Sequence, residues 1–281
     1  MTLSTSTTSA EPASRQAPVS PRPASTLEQD SNEHASPWRV AAGAALLIGL
    51  WHLLSRGQAS IVLPGPAATM QALVELARSG QLAQHLGATA ARCALGVAAA
   101  LAIGIPWGIA AGTSRTIEDL GEATLRTLMA VPPILYVVLA MIWLGPGPSA
   151  VVVVSVLVGL PLMVITTSGA VRGIDRDLDE MTRVFGFSRG RRLAHLVLPA
   201  VGGPVLAGVS VLIGQALRVT VMAELLSASS GVGHAVALSR ANLQTETLFA
   251  WALVLTVLAL ALQYALVAPA TRWAARRHGN D

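Results

Sequence analysis

The sequence predicts an all-α, polytopic membrane protein with six transmembrane helices, and three observations carry that prediction. Hydrophobic residues make up 53% of the 281 and charged residues only 12%, about half the charge of a soluble domain. Mean hydropathy is +0.59. The 34 charges are clustered: six lie in 1–37, ten in 170–199 and four in 272–281, which leaves too few elsewhere to solvate a globular surface.

Each segment follows in order. Residues 1–37 are rich in Ser, Thr, Pro and Ala and cannot bury enough apolar surface to offset their ordering entropy, so a disordered cytoplasmic tail is expected. The segment lacks the basic start and apolar run of a secretory signal. The remainder, 38–281, holds six apolar runs: Trp38–Leu54, Ala88–Gly112, Leu120–Leu144, Ala150–Ser168, Pro204–Leu226 and Leu248–Ala268. Crossing the hydrocarbon core takes ~20 residues, so the first run is short and its neighbours argue for it. Helices are expected, because the runs are long and lack the alternating pattern of a barrel. The frequent Gly and Ala suit close helix packing in lipid.

Arginine counting sets the orientation. With the N-terminus inside, the inner segments hold 14 arginines and the outer segments three, Arg56, Arg78 and Arg240. Both termini and the loop 170–199 are therefore expected in the cytoplasm. The pI near 10.5 does not point to nucleic acid, because the arginines flank apolar runs.

Composition also excludes chemistries. All 19 basic residues are arginine; without lysine there is no ordinary P-loop and no lysine Schiff base. Cys93 is the single cysteine and reads as small apolar filler. The six histidines show no metal-ligand spacing.

The loop 170–199 is the most informative stretch. Ile174, Leu178, Met181 and Phe185 recur at spacings of four, three and four, one apolar stripe on a helix with a charged opposite face. Gly186 stops that helix, a turn follows, and a second short helix runs from Arg191 to Pro199. Such a helix pair suits either the headgroup layer or a partner's groove.

Glu180-Met181-Thr182, Gly186, Leu196 and Leu198-Pro199 resemble the EAA loop of ABC importer permeases: E-A-A, three residues, Gly, nine residues, Ile, one residue, Leu-Pro. The departures are Met181 and Thr182 for the alanines and Leu196 for isoleucine. VLPGP at 62–66, the run 79–96, GIPWGIAAGTSR at 104–115, MIWLGPG at 141–147, Ala223-Glu224 and SGVGHAV at 230–236 are similar to segments of the nitrate/sulfonate/taurine branch. Arg218 departs from that branch, which usually has an uncharged, often aromatic residue there. The Pro132-Pro133 pair also departs from it and is placed to break the third run.

The resemblance implies a type I ABC importer permease fold and a homodimeric pore in the bacterial inner membrane, with an ABC ATPase subunit under each copy. An extracytoplasmic binding protein would deliver a small, anionic solute. This chain would catalyse nothing and hold no cofactor, ATP and Mg belonging to the ATPase. Ile174, Leu178, Glu180, Met181, Thr182, Phe185, Gly186, Leu198 and Pro199 would couple to that ATPase. Glu224 has two readings, a hydrogen bond that fixes the adjoining SASSGVG segment or a role at the outer gate. Arg218 either pairs with another helix or the dimer mate, or forms a cationic patch that draws an anion. Arg92 is expected to snorkel to headgroups. A secondary transporter or channel would need broken half-helices with ion ligands or inverted repeats, which the sequence does not show.

Overall fold

The computed structural model describes residues 37–262. The expected tail, the arginines at 272–277 and residues 263–268 of the sixth apolar run lie outside the described residues. The chain divides into two units, Met1–Gly49 and Leu50–Asp281; the described part of the first is the opening of helix α1 (Pro37–Arg56). Every regular element among the described residues is helical.

In the second unit, Pro66 opens α2 (Pro66–Arg78), where its missing N–H costs no hydrogen bond. Gly80, at φ +76, turns the chain into α3 (Gln81–Thr113). The third expected run is two helices, α4 (Arg115–Ala130) and α5 (Pro133–Leu144), bent by 98°. The cause is local: Val131 and Pro132 take extended backbone, as residues preceding proline do. Tyr136 Oη donates to the Leu128 carbonyl across the bend at 3.0 Å. Next come α6 (Pro148–Arg172), α7 (Arg176–Val184) and α8 (Arg189–Arg192). A π turn, Leu193–Val197, leads straight into α9 (Leu198–Ser227). Two further helices, α10 (Val232–Ala241) and α11 (Thr245–Leu262), complete the described chain.

A ladder of small residues fixes the centre. Gly96, Gly104, Gly108 and Gly112 of α3 face Ser155, Met163, Thr167 and Val171 of α6 so closely that a Cβ on any of these glycines would stand 2.5–2.8 Å from the opposing Cβ. Both numbers rise together, so α3 and α6 run parallel, and the bent α4–α5 pair must return the chain between them. Contacts of α6 with α9 run the other way: Ser155 Oγ lies 3.0 Å from Thr220 Oγ1, whereas Thr166 packs on Gly208. Thus α7 and α8 stand at one end of the bundle, here the loop end. Residues 57–80 and 228–244 stand at the far end.

Among the described residues four helical stretches are each long and apolar enough to cross a membrane, namely α3, α6, α8–α9 as one continuous rod and α11; the bent pair, taken as one span, makes a fifth. The apolar part of α1, Ala42–Arg56, is shorter. The crossing through α9 differs from the sequence expectation. No stop occurs at Pro199, because the wider π turn directly before it accommodates the ring.

Candidate functional site

The loop end carries a rigid, apolar-faced helix. Asp175 caps α7, its carboxylate accepting from the Asp177 N–H at 3.0 Å, and Asp177 and Asp179 sit in the first turn where the helix dipole favours negative charge. The helix ends as a Schellman motif. Gly186 has φ +66, the Phe187 N–H donates to the Thr182 carbonyl at 2.9 Å and the Gly186 N–H to Arg183 at 3.0 Å. Ser188 caps α8 through the Arg191 N–H.

Asp179 clamps these two helices together. It accepts from Arg183 at 3.0 Å and from Arg192 Nε at 2.6 Å, and a second Arg192 nitrogen reaches the same oxygen. At the same end Arg172 pairs with Glu118, tying α6 to α4. Thr182 is buried, its hydroxyl donating to the Asp179 carbonyl at 2.8 Å. Leu178, Met181 and Phe185 are exposed, and so is Val184, at 83% the most exposed of the large apolar residues in the loop. A contiguous apolar patch of this kind marks an interaction surface.

Two expectations for the loop need correction. The helix is Arg176–Val184, not Ile174–Phe185. Ile174 precedes the cap and is half-buried against Val171, Val197 and Val201, so it anchors the loop to the bundle and leaves the exposed stripe. The second helix does not end at Pro199; Leu198 and Pro199 are exposed residues in the first turn of α9. Glu180 is exposed, with no hydrogen bond or ion pair among the described residues.

At the far end a polar network is buried. His85, Thr89 and Arg92 lie on one face of α3 at i, i+4 and i+7. Arg92 Nη1 donates to Glu224 at 2.6 Å and to the Ser230 carbonyl at 2.7 Å, and Nη2 to Ser230 Oγ at 2.6 Å. Thr89 Oγ1 donates to Glu224 at 2.8 Å and accepts from the Val232 N–H at 2.8 Å. His85 Nδ1 accepts from the Gly231 N–H at 3.1 Å, and the Gly233 N–H reaches Glu224 at 3.2 Å. Three N–H groups at the start of α10 thus find side-chain acceptors, as helix N-termini require.

Glu224 is fully buried and Arg92 only 7% exposed. Arg92 therefore does not snorkel, because its charge is met inside the protein. Glycine is required at 231, where φ is +103 and a Cβ would stand 2.3 Å from the Glu224 carboxylate. Sequence reasoning missed His85, Thr89 and Ser230, although three polar residues on one face of an apolar helix were a signal. Arg218 is not brought to this network. It is exposed on another face of α9, beside a groove lined by Val211, Gly214, Leu217, Ala259 and Leu262.

Residues 104–277 match the family of the binding-protein-dependent transport system inner membrane component. The chain belongs to this family. It is 31% identical over 215 residues to the putative aliphatic sulfonates transport permease protein SsuC of Bacillus subtilis (strain 168), covering 76% of this chain and 78% of the relative. The taurine transport system permease protein TauC of Escherichia coli (strain K12) is 27% identical, over 79% of this chain and 83% of the relative. The nitrate import permease protein NrtB of Synechocystis is 28% identical, over 69% and 74%. Among solved structures, the inward-facing MetNI methionine ABC transporter superposes with a TM-score of 0.60 at 15% identity, covering 70% of this chain and 96% of that one. An amino acid ABC transporter superposes with a TM-score of 0.60 at 11% identity, over 73% and 97%.

The helical arrangement is that of a type I ABC importer permease. This permease is a membrane-embedded, non-catalytic transport subunit, and ATP hydrolysis belongs to a separate subunit of such systems.

Proposed function

We propose that two copies of this permease form the translocation pathway of an importer for a small oxyanion, with the loop 170–199 facing the cytoplasm and docked on an ABC ATPase. An extracytoplasmic binding protein delivers the solute to the far end. The observation that carries this reading is α7: Leu178, Met181, Val184 and Phe185 are exposed on a helix that Asp179 and Arg192 lock to the bundle. A helix held in this way can fill a groove and move with its partner as a lever. The arginine asymmetry supports a cytoplasmic position for both termini, and the named relatives support an oxyanion such as a sulfonate or nitrate.

Uptake into proteoliposomes tests the reading. The permease, reconstituted with its ATPase and binding protein, should accumulate ethanesulfonate or nitrate only when ATP is supplied. Gradient-driven uptake without ATP would favour a secondary carrier. A reporter active only outside the cell should be silent after Arg277 and active near Ser230.

A further inference from the structure

Among the described residues nothing answers the charge of Arg218, and its position suggests what does. In α9, 30 residues long, it lies about 13 Å below the far end at 1.5 Å per residue, within hydrocarbon depth. Its neighbours Ala216, Leu217, Val219 and Thr220 are buried in the bundle, so the guanidinium points the other way. It makes no hydrogen bond or ion pair among the described residues. A charged side chain at such a depth is costly, and is retained where it meets protein, water or an opposite charge.

The sequence restricts what that opposite charge can be. The apolar helices α1, α3, α5, α6 and α9 contain one carboxylate, Glu224, which is fully buried and held by Arg92. Glu246 is in the first turn of α11, whereas the groove beside Arg218 is lined by Ala259 and Leu262 near the other end of that helix. The acids of α4 lie at the loop end: Glu118 is held by Arg172, Glu122 by Arg126, and Asp119 follows Glu118 in the first turns of the helix, far from Arg218. A second copy of the chain brings the same inventory, so dimerisation through α1, α3, α5, α6 or α9 supplies no free carboxylate. The groove is also open among the described residues: one turn before Arg218, a Cβ on Gly214 would meet none of them within 4 Å.

We propose that Arg218 is the counter-charge for an oxyanion inside the translocation pathway, bound in the groove beside Gly214 and Leu217. This rests on the importer reading and adds the residue that selects for charge. The planar guanidinium offers paired N–H donors that match the oxygens of a sulfonate or nitrate, a geometry a lysine ammonium does not reproduce.

The test uses the complete transporter in proteoliposomes with ethanesulfonate and nitrate as probes. Arg218→Gln should lower ATP-driven uptake of the transported probe at least tenfold, Arg218→Lys should keep part of it, and Gly214→Leu should lower it with the charge intact. ATPase co-purification should stay at the wild-type level in all three. In a Cys93→Ala background, the thiol introduced by Arg218→Cys should react with an aqueous anionic thiol reagent, and the probe should slow that reaction. Wild-type uptake by Arg218→Gln overturns the proposal. So does a thiol that the aqueous reagent does not reach, or one protected by anionic lipid and not by the probe; those results place Arg218 against protein or lipid headgroups. ATP-driven import of a neutral solute alone removes this proposal while the importer stands. Absence of any ATP-driven uptake by the wild type removes the importer reading beneath it.

Discussion

Arg92 and Glu224 are 132 residues apart in the sequence and 2.6 Å apart in the fold, a buried ion pair that joins α3 to α9 beneath the start of α10. Neither charge is alone: Ser230 accepts two further hydrogen bonds from Arg92, and Thr89 and the Gly233 N–H bond Glu224.

Removing one partner strands the other in a buried site. Arg92→Met or Glu224→Leu should each destabilise the permease by about 3–5 kcal/mol. The double variant should cost less than the two singles summed, since replacing a whole buried pair by apolar side chains is far cheaper. Thermal unfolding of the detergent-solubilised protein, run as a double-mutant cycle, measures this. Strict additivity would show that the two groups are not coupled.

The α3–α6 ladder gives a second expectation. A Cβ at Gly108 would stand 2.5 Å from Thr167 Cβ and 2.8 Å from the Val164 carbonyl oxygen, and the backbone oxygen cannot swing aside. Gly108→Leu should destabilise by at least about 1–3 kcal/mol, the usual cost of overpacking. Gly87→Leu, at a position where a Cβ meets none of the described residues within 4 Å, should have little effect. Equal loss of thermal stability in the two would contradict the parallel packing.

How much of this was legible varies with the range of the interaction. The apolar runs declared their helices, and Pro132-Pro133 declared a break, because hydrophobicity and proline act locally. The 98° angle was not legible, since it depends on what each half packs against. Arg92 was misread because a lone arginine near a span's end suits headgroups equally well until its partner, far along the chain, is known. Ile174 fitted the helical spacing of the stripe, and only the cap at Asp175 reveals that the helix starts after it. Asp179 and Arg192 looked like ordinary solvated charges, and their clamp needs the turn at Gly186 to bring them together.

That turn is itself testable. A Cβ on Gly186 meets none of the described residues within 4 Å, so among them a substitution there is opposed by the backbone at φ +66 and not by crowding. Asn tolerates the left-handed region, whereas a β-branched residue does not. Gly186→Asn should therefore preserve the Schellman bonds, and Gly186→Val should lose them at a cost of about 1–2 kcal/mol. Hydrogen exchange at the Phe187 amide reports the outcome. Equal protection in both variants would show that the turn does not depend on glycine.

The most direct measurement is the amount of ATPase subunit recovered with the permease when α7 is altered. Leu178→Asp combined with Met181→Asp places two carboxylates on the exposed stripe without touching Asp175, Asp179 or Gly186, so the loop should keep its shape. If α7 fills a groove on the ATPase, recovery per permease should fall about tenfold or more, a loss of ~1.4 kcal/mol at the least, while the permease stays in the membrane at its normal level. Undiminished recovery, with ATP-driven uptake intact, would contradict docking through this helix.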